Sequence, residues 1–417
     1  MKMKMLLSLG ISLVMSFNIT EAQDQGSSNS LFIYGQVTTI DGEQYKGQLR
    51  WGKEEAFWFD IYNSSKPENE NLKYLTDDEL DDLDDQDYRL ASRWNHKWWP
   101  KNYNWNSDHT HTFACEFGEI ASISMRSKSR VRLELRDGSV VNLKGGSNDI
   151  NEDIQVNDAD LGLIRLDGDR IDRVDFMDTP ADLVSVFGEP FYGTVHSDEG
   201  SYQGYLQWDH DERLGLDVLD GDTRDGDIAI KFEMIAGIAR SGRGAEVTYR
   251  SGRSLYISGS NDCNSGNRGI IVNIPNKGRV DIPWSSFDEM IIEENNPDAA
   301  ISYSDFRDGR RIAGTVETVK GLELEGTLIF DLDEERDFEL LNGMKEDVEF
   351  LIPFRSISQI QPVGRNTSLV YLNDGEKILL EDQVDVSEEN DGVLIFAGNS
   401  NNPKYVAWED VKSIKLH

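Results

Sequence analysis

Carboxylates crowd this chain in two patterns whose spacing suits a hard cation. Directly after an aromatic residue come Asp209, Asp211 and Glu212, and again Asp331, Asp333 and Glu334. Further on runs Asp217-x-x-Asp220-Gly-Asp222-x-x-Asp225-Gly-Asp227. Calcium takes about six to eight oxygen ligands, so either pattern has the right donors. The 217–227 run supplies the metal candidates Asp217, Asp220, Asp222, Asp225 and Asp227, although it misses the register of a helix-flanked calcium loop. An acidic turn is the competing expectation there. The shorter pattern is expected to be a solvated hairpin turn. At the corresponding place the chain reads Gly52-Lys53-Glu54-Glu55, which keeps the glutamate and lacks the aspartates.

Three further constellations are weaker. Ser147-Asn148-Asp149-x-Asn151 and Ser260-Asn261-Asp262-x-Asn264 look alike, and the second continues into Gly266-Asn267-Arg268-Gly269. Asn and Asp at strand ends bond their own backbone, so a turn-forming role is expected, with a ligand loop as the alternative. Only Asp385 and Gly392 remain at the third corresponding place. His109-x-His111 and Cys115 would share one strand face and could meet zinc, but no fourth ligand is identifiable. The two cysteines, Cys115 and Cys263, are not a disulfide framework. Cys115 is expected to be buried in a strand, and Cys263 to be a free thiol in a polar loop. The chain has no Gly-x-Ser-x-Gly elbow, His-Glu-x-x-His helix, phosphate loop or dinucleotide-binding glycine pattern. A non-catalytic protein is therefore expected; a hydrolase with paired carboxylates is an alternative.

The strongest binding candidate is a stretch that interrupts everything around it. Residues 66–112 open with the acidic run TDDELDDLDDQDYRL, in which Leu80, Leu83 and Leu90 suggest a short amphipathic helix. Then Trp94, Trp98, Trp99, Tyr103 and Trp105 follow among Arg93, Lys97 and Lys101, using four of the nine tryptophans. Such faces stack on sugars or anchor a protein partner. The competing expectation is a private mini-core that caps the neighbouring strands.

The elements that would position these residues are announced by a phrase that occurs three times. GQVTTIDGEQYKGQLRWGKEE, GTVHSDEGSYQGYLQWDHDE and GTVETVKGLELEGTLIFDLDEE begin at Gly35, Gly193 and Gly314. Four residues after each aromatic stands a glutamate: Glu55, Glu212 and Glu334. A second phrase follows as Phe117-x-x-Ile120-x-x-Ile123, Phe232-x-x-Ile235-x-x-Ile238 and Phe354-x-x-Ile357-x-x-Ile360. It lies 24 residues after Trp208 and after Phe330 but 66 after Trp51, which locates the insertion. A period above a hundred residues implies tandem copies. The closing phrases Trp284-x-x-Phe287-x-x-Met290 and Trp408-x-x-Val411-x-x-Ile414 imply that each copy is two similar half-units.

Alternating runs split by Asp137-Gly138, Ser251-Gly252 and Asp374-Gly375 read as hairpins. The aromatic-x-x-Ile phrase reads as a 3₁₀ turn that sets residues three apart on one side. The expected fold is all-β: three tandem copies of small SH3-like or Sm-like barrels, with a Greek-key sandwich per copy as the alternative. The boundaries are 1–22 for a signal peptide, 23–30 for a linker, and 31–179, 180–300 and 301–417 for the copies.

The first residues, MKMKMLLSLGISLVMSFNITEAQ, have the basic start, apolar stretch and small residue at Ala22 of a secretory signal. With 77 acidic against 42 basic residues the formal charge is −35, which repels nucleic acid. No segment is apolar for long enough to span a membrane as a helix. The expectation is an exported, non-catalytic protein, periplasmic or extracellular, presenting binding surfaces to an envelope protein or glycan. It needs no cofactor. A glycan-binding or calcium-dependent adhesion module is the alternative.

Overall fold

A computed structural model describes residues 28–83, 112–145, 149–293, 301–306, 309–398 and 400–417. The segment expected to be a signal peptide lies outside these residues. So do Trp94, Trp98, Trp99, Tyr103 and Trp105, and so do His109, His111, Ser147 and Asn148. The described chain is mostly antiparallel strand, so the all-β reading holds. No described helix is long and apolar enough to cross a membrane.

The strands fall into three consecutive sets of ten. The first comprises β1 (Tyr34–Thr39), β2 (Gln44–Trp51), β3 (Ile61–Ser65), β4 (Thr112–Glu116) and β5 (Ile120–Ser127). It continues with β6 (Arg130–Leu135), β7 (Val140–Lys144), β8 (Ile154–Asp158), β9 (Gly162–Leu166) and β10 (Ile171–Phe176). The second comprises β11 (Tyr192–Ser197), β12 (Gly200–Trp208), β13 (Val218–Thr223), β14 (Gly226–Lys231) and β15 (Ile235–Ser241). To these it adds β16 (Gly244–Tyr249), β17 (Ser254–Ile257), β18 (Ile270–Ile274), β19 (Gly278–Ile282) and β20 (Phe287–Glu293). The third comprises β21 (Ala313–Thr318), β22 (Glu323–Phe330), β23 (Leu340–Lys345), β24 (Val348–Pro353) and β25 (Ile357–Pro362). It ends with β26 (Thr367–Leu372), β27 (Lys377–Glu381), β28 (Val393–Phe396), β29 (Lys404–Val406) and β30 (Val411–Leu416).

In the first set the spatial order is β4-β3-β7-β6-β5-β10-β1-β2-β8-β9. Corresponding pairings recur in the others. β20 joins β11 to β15, and β30 joins β21 to β25, as β10 joins β1 to β5. β12 pairs with β18, and β22 with β28, as β2 pairs with β8. The expected small barrels therefore do not appear as closed rings. The second strand of each set passes over its own next hairpin and pairs with a strand from a later one, leaving an open order. β19 also pairs with β24, which runs the second and third sets into one sheet.

Local sequence explains the local elements. The three dipeptide hairpins form, with Gly138, Gly252 and Gly375 at φ of 80°, 83° and 92°, conformations open to glycine. The 3₁₀ turns Phe117–Glu119, Phe232–Met234 and Phe354–Ser356 fall where the second phrase places them. The aromatic and aliphatic anchors of their phrases are buried in all three sets, from Phe117 and Ile123 to Phe354 and Ile360. Gly47, Gly204 and Gly326 share a different reason. A Cβ on each would come within 1.8, 2.2 and 2.3 Å of a carbonyl oxygen of the crossing strand, at Asn157, Asn273 and Phe396.

The start of the insertion does not cap the first set. Leu72, Tyr74, Leu75 and the helical residues 77–83 lie instead on the third set, where Leu80 and Leu83 pack with Ile329, Leu332, Leu394 and Tyr405. Thr76 and Glu79 cap that helix by bonding each other's backbone N–H or hydroxyl.

Candidate functional site

The turn after the second strand of each set is closed by the aromatic and the glutamate four residues on. Trp51, Trp208 and Phe330 donate their N–H to the carbonyls of Glu55, Glu212 and Glu334 at 2.8, 2.7 and 2.9 Å. The first loop residue takes a left-handed conformation, with φ of 55° at Gly52, 48° at Asp209 and 48° at Asp331. The two aspartates tolerate it and put their carboxylates to use. Asp209 accepts from the Arg268 N–H, and Asp331 from the Asp391 N–H.

These turns are not solvated, contrary to the expectation for Asp209, Asp211, Glu212, Asp331, Asp333 and Glu334. Asp209 and Asp331 are 1% and 0% exposed, and Glu334 is 6% exposed. The reason lies in long-range packing. A second carboxylate reaches each turn from the segment before the eighth strand: Asp149 in a turn, Asp262 and Asp385 in 3₁₀ turns. Each accepts the N–H of a residue at the start of the hairpin beyond the turn, respectively Asn63 at 2.6 Å, Asp220 at 2.7 Å and Asn342 at 2.6 Å. The Trp51 and Trp208 indoles donate to the Asp149 and Asp262 carbonyls, both at 3.0 Å. The expected local Asx turns do occur, but on Asn264, Asn267 and Asn390.

A third carboxylate, five residues after the glutamate, takes two backbone N–H groups. Asp60 accepts from Ala56 and Phe57, Asp217 from Arg213 and Leu214, and Glu339 from Glu335 and Arg336. Each is then met by a cation from another set. Arg213 pairs with Asp60 at 2.6 Å, both almost fully buried. Arg50 pairs with Asp217 through both its terminal nitrogens. Lys66, at the insertion's start, reaches Asp333 and Glu339 at 3.2 and 3.3 Å. The first two sets thus clasp each other reciprocally. The third receives the insertion where a partner set would sit.

Between the first two sets the clasp leaves a cavity of about 300 Å³. Glu54, Glu55, Asp149, Glu152, Asp153 and Asp211 line it against Lys53 and Arg165. Arg165 is already bound to Asp153 at 2.7 Å. Burial pushes the Glu55 carboxyl well above the ordinary range, and the charges of Asp149, Asp60 and Glu54 add to the effect. Burial also lifts Asp149 to about 7, opposed by the Asn63 N–H. In the corresponding turn of the second set, burial and then Asp211 push Glu212 up to about 9. The site resists further negative charge and suits a cation or a proton.

Among the described residues, three possible ligand oxygens lie within 4.8 Å of one another in two groups. They are Asp209, Asp211 and Glu212, and Asp331, Glu334 and Asp385. The 217–227 carboxylates are not brought together in this way. Asp217 is held by Arg50, Asp220 lies within the first strand of the hairpin, and Asp222 and Asp227 face each other across it with Asp225 at its tip. Cys115 and Cys263 are both free, and Cys263 is in the core and not in an open loop. Burial first, then Asp262, pushes its thiol to about 12.

No family model and no curated protein matches the chain. Among solved structures it shows a slight similarity to a streptogramin B lyase. That similarity has 10% identity and a TM-score of 0.16, over 72% of this chain and 94% of that one.

Proposed function

We propose that this is an exported, non-catalytic binding protein of three tandem β units, which takes a cationic group of an envelope partner in the cavity between units one and two. The observation that carries this reading is the cavity itself: six carboxylates converge there against three cations, Lys53, Arg165 on Asp153, and Arg268 on Glu54 and Asp211. A basic side chain, or an amine on a glycan, would relieve that imbalance and supply the donors the carboxylates lack. The tryptophans at 94–105 offer the same partner a second contact through their large, partly polar faces.

The strand order supports reading each unit as two small barrels that have exchanged strands. β10-β1-β2-β8-β9 and β5-β6-β7-β3-β4 each follow the order of a five-stranded SH3-like barrel, with a 3₁₀ turn before β5 and before β10. That favours small barrels over a Greek-key sandwich.

A pull-down from envelope extract tests the binding reading. Wild-type protein, Glu54→Gln/Glu152→Gln and a version lacking residues 84–111 are compared, leaving the docked residues 66–83 in place. Loss of a defined partner with the double variant is expected; equal capture by all three proteins argues against it. A hydrolase reading has one observation in its favour, since Glu55 and Asp149 share the cavity with raised proton affinities. Turnover of any glycoside or ester that is lost in Glu55→Gln would replace the binding reading.

A further inference from the structure

We propose that Lys66 and Asp333 join covalently: the lysine Nζ condenses with the aspartate carboxyl, and the amide ties the first set of strands to the third. Lys66 directly follows β3, and Asp333 lies in the turn after β22, 267 positions away. The Lys66 Nζ stands 3.2 Å from Asp333 Oδ2 and 3.3 Å from Glu339 Oε1. The side chains of the two acids are 2% and 7% exposed. The centroid of the Phe113 ring lies 5.8 Å from the same nitrogen. An amine, a carboxyl to acylate and a second carboxyl to carry protons are the groups such a condensation needs.

The other two sets show why a lysine here is informative. In each set one cation meets the carboxylate five residues after the turn glutamate, and also donates to the backbone carbonyl just before that glutamate. Arg213 does so with Asp60 and Glu54, Arg50 with Asp217 and Asp211, and Lys66 with Glu339 and Asp333. A guanidinium keeps its proton in proteins and is no nucleophile there. An amine becomes one when its proton is removed. In the third set the cation is an amine, and it also touches the side chain of the residue before the glutamate, Asp333.

The two acids divide the work by how they are held. Glu339 Oε2 accepts the Glu335 and Arg336 N–H groups, which fixes Oε1 beside the amine. Burial raises the proton affinity of Glu339, opposed by Lys66. Glu339 is therefore the proton carrier, and Asp333 supplies the carbonyl carbon. Burial works against the Lys66 ammonium, but Asp333, Glu339 and Glu334 outweigh it and hold the proton on the nitrogen. That proton is accordingly handed over inside the cluster and not to water.

Glu339 takes one proton from Nζ, the nitrogen lone pair attacks Asp333 Cγ, and the C=O electron pair moves onto oxygen. Glu339 returns its proton to the departing oxygen, a second proton follows from Nζ, and the C–O bond breaks. One carboxylate oxygen and two protons from Nζ leave as water, and no other reactant is consumed. A neutral amide then stands where two charges were buried, and burial keeps bulk water from reversing the step.

Tryptic digestion of the denatured full-length protein with tandem mass spectrometry tests this. The wild type is expected to give a branched peptide joining residues 54–73 to 321–336, lighter than their sum by one water. Lys66→Arg, which keeps the charge, is expected to give the two linear peptides. Glu339→Gln, which keeps an acceptor for both N–H groups, is expected to form the branch roughly a hundredfold more slowly. Linear peptides alone from the wild type overturn the proposal and leave a buried ion pair. A branch to residues 337–345 overturns the choice of Asp333, and a Glu339→Gln protein that branches at the wild-type rate overturns the role of Glu339.

Discussion

Arg213 and Asp60 show how little of the site a local reading could have found. Nothing in the sequence marks Asp60, because its partner stands 153 positions away and the equivalent of Asp60 and Asp217 in the third set is Glu339. What was legible was the turn glutamate. Its burial was not, because closely spaced acids normally face water. The ion pair makes a sharp test. Arg213→Met leaves Asp60 buried and unpaired, and is expected to cost about 3–5 kcal/mol in urea unfolding. Adding Asp60→Asn, which keeps the acceptor for Ala56 and Phe57, should recover most of that loss. Glu212 gives a pH test with a definite sign. Its folded carboxyl holds a proton up to about 9, whereas an unfolded glutamate releases it near 4.3. The folded state therefore binds more protons across that window, and this group's stabilising contribution falls as pH rises through it. In chelating buffer Glu212→Gln is expected to flatten that decline, matching the wild type near pH 4 and exceeding it near pH 9. An unchanged slope would mean the carboxyl is ionised and paired.

At the scale of elements, everything set by neighbours in sequence was readable. The hairpins, the 3₁₀ turns and the buried phrase around Phe117, Phe232 and Phe354 depend on contacts a few residues apart. The pairing of β2 with β8 was not readable, because it skips five intervening strands. The glycines at 47, 204 and 326 were visible as a pattern without a cause; the crossing strand is the cause. Alanine at any of the three is expected to cost at least about 2 kcal/mol, since backbone must move to admit the Cβ. Costs within about 0.5 kcal/mol, the range of ordinary surface changes, would contradict the close approach. The insertion divides likewise. Leu80 and Leu83 carried a helical spacing, but nothing local said that the helix lies on the third set of strands. Leu83→Ala is expected to cost about 2–5 kcal/mol in unfolding measurements, and a cost near zero would contradict that docking. Removing residues 84–111 should cost far less.

At the scale of the whole molecule, a chain this acidic holds its sets of strands together by placing single cations where carboxylates crowd: Arg213, Arg50 and Lys66, with Arg355 bound to Glu116 and Glu119 between the third set and the first. In the cavity between the first two sets of strands six carboxylates outnumber the three cations Lys53, Arg165 and Arg268. Zero-length carbodiimide coupling in envelope extract tests this most directly, because it joins a carboxylate to an amine only where the two touch. Peptides containing Glu54, Glu152 or Asp211 are expected to carry the crosslink to an envelope amine, and an excess of soluble amine should suppress it. Partner crosslinks found only on carboxylates remote from that cavity would contradict the proposed binding site.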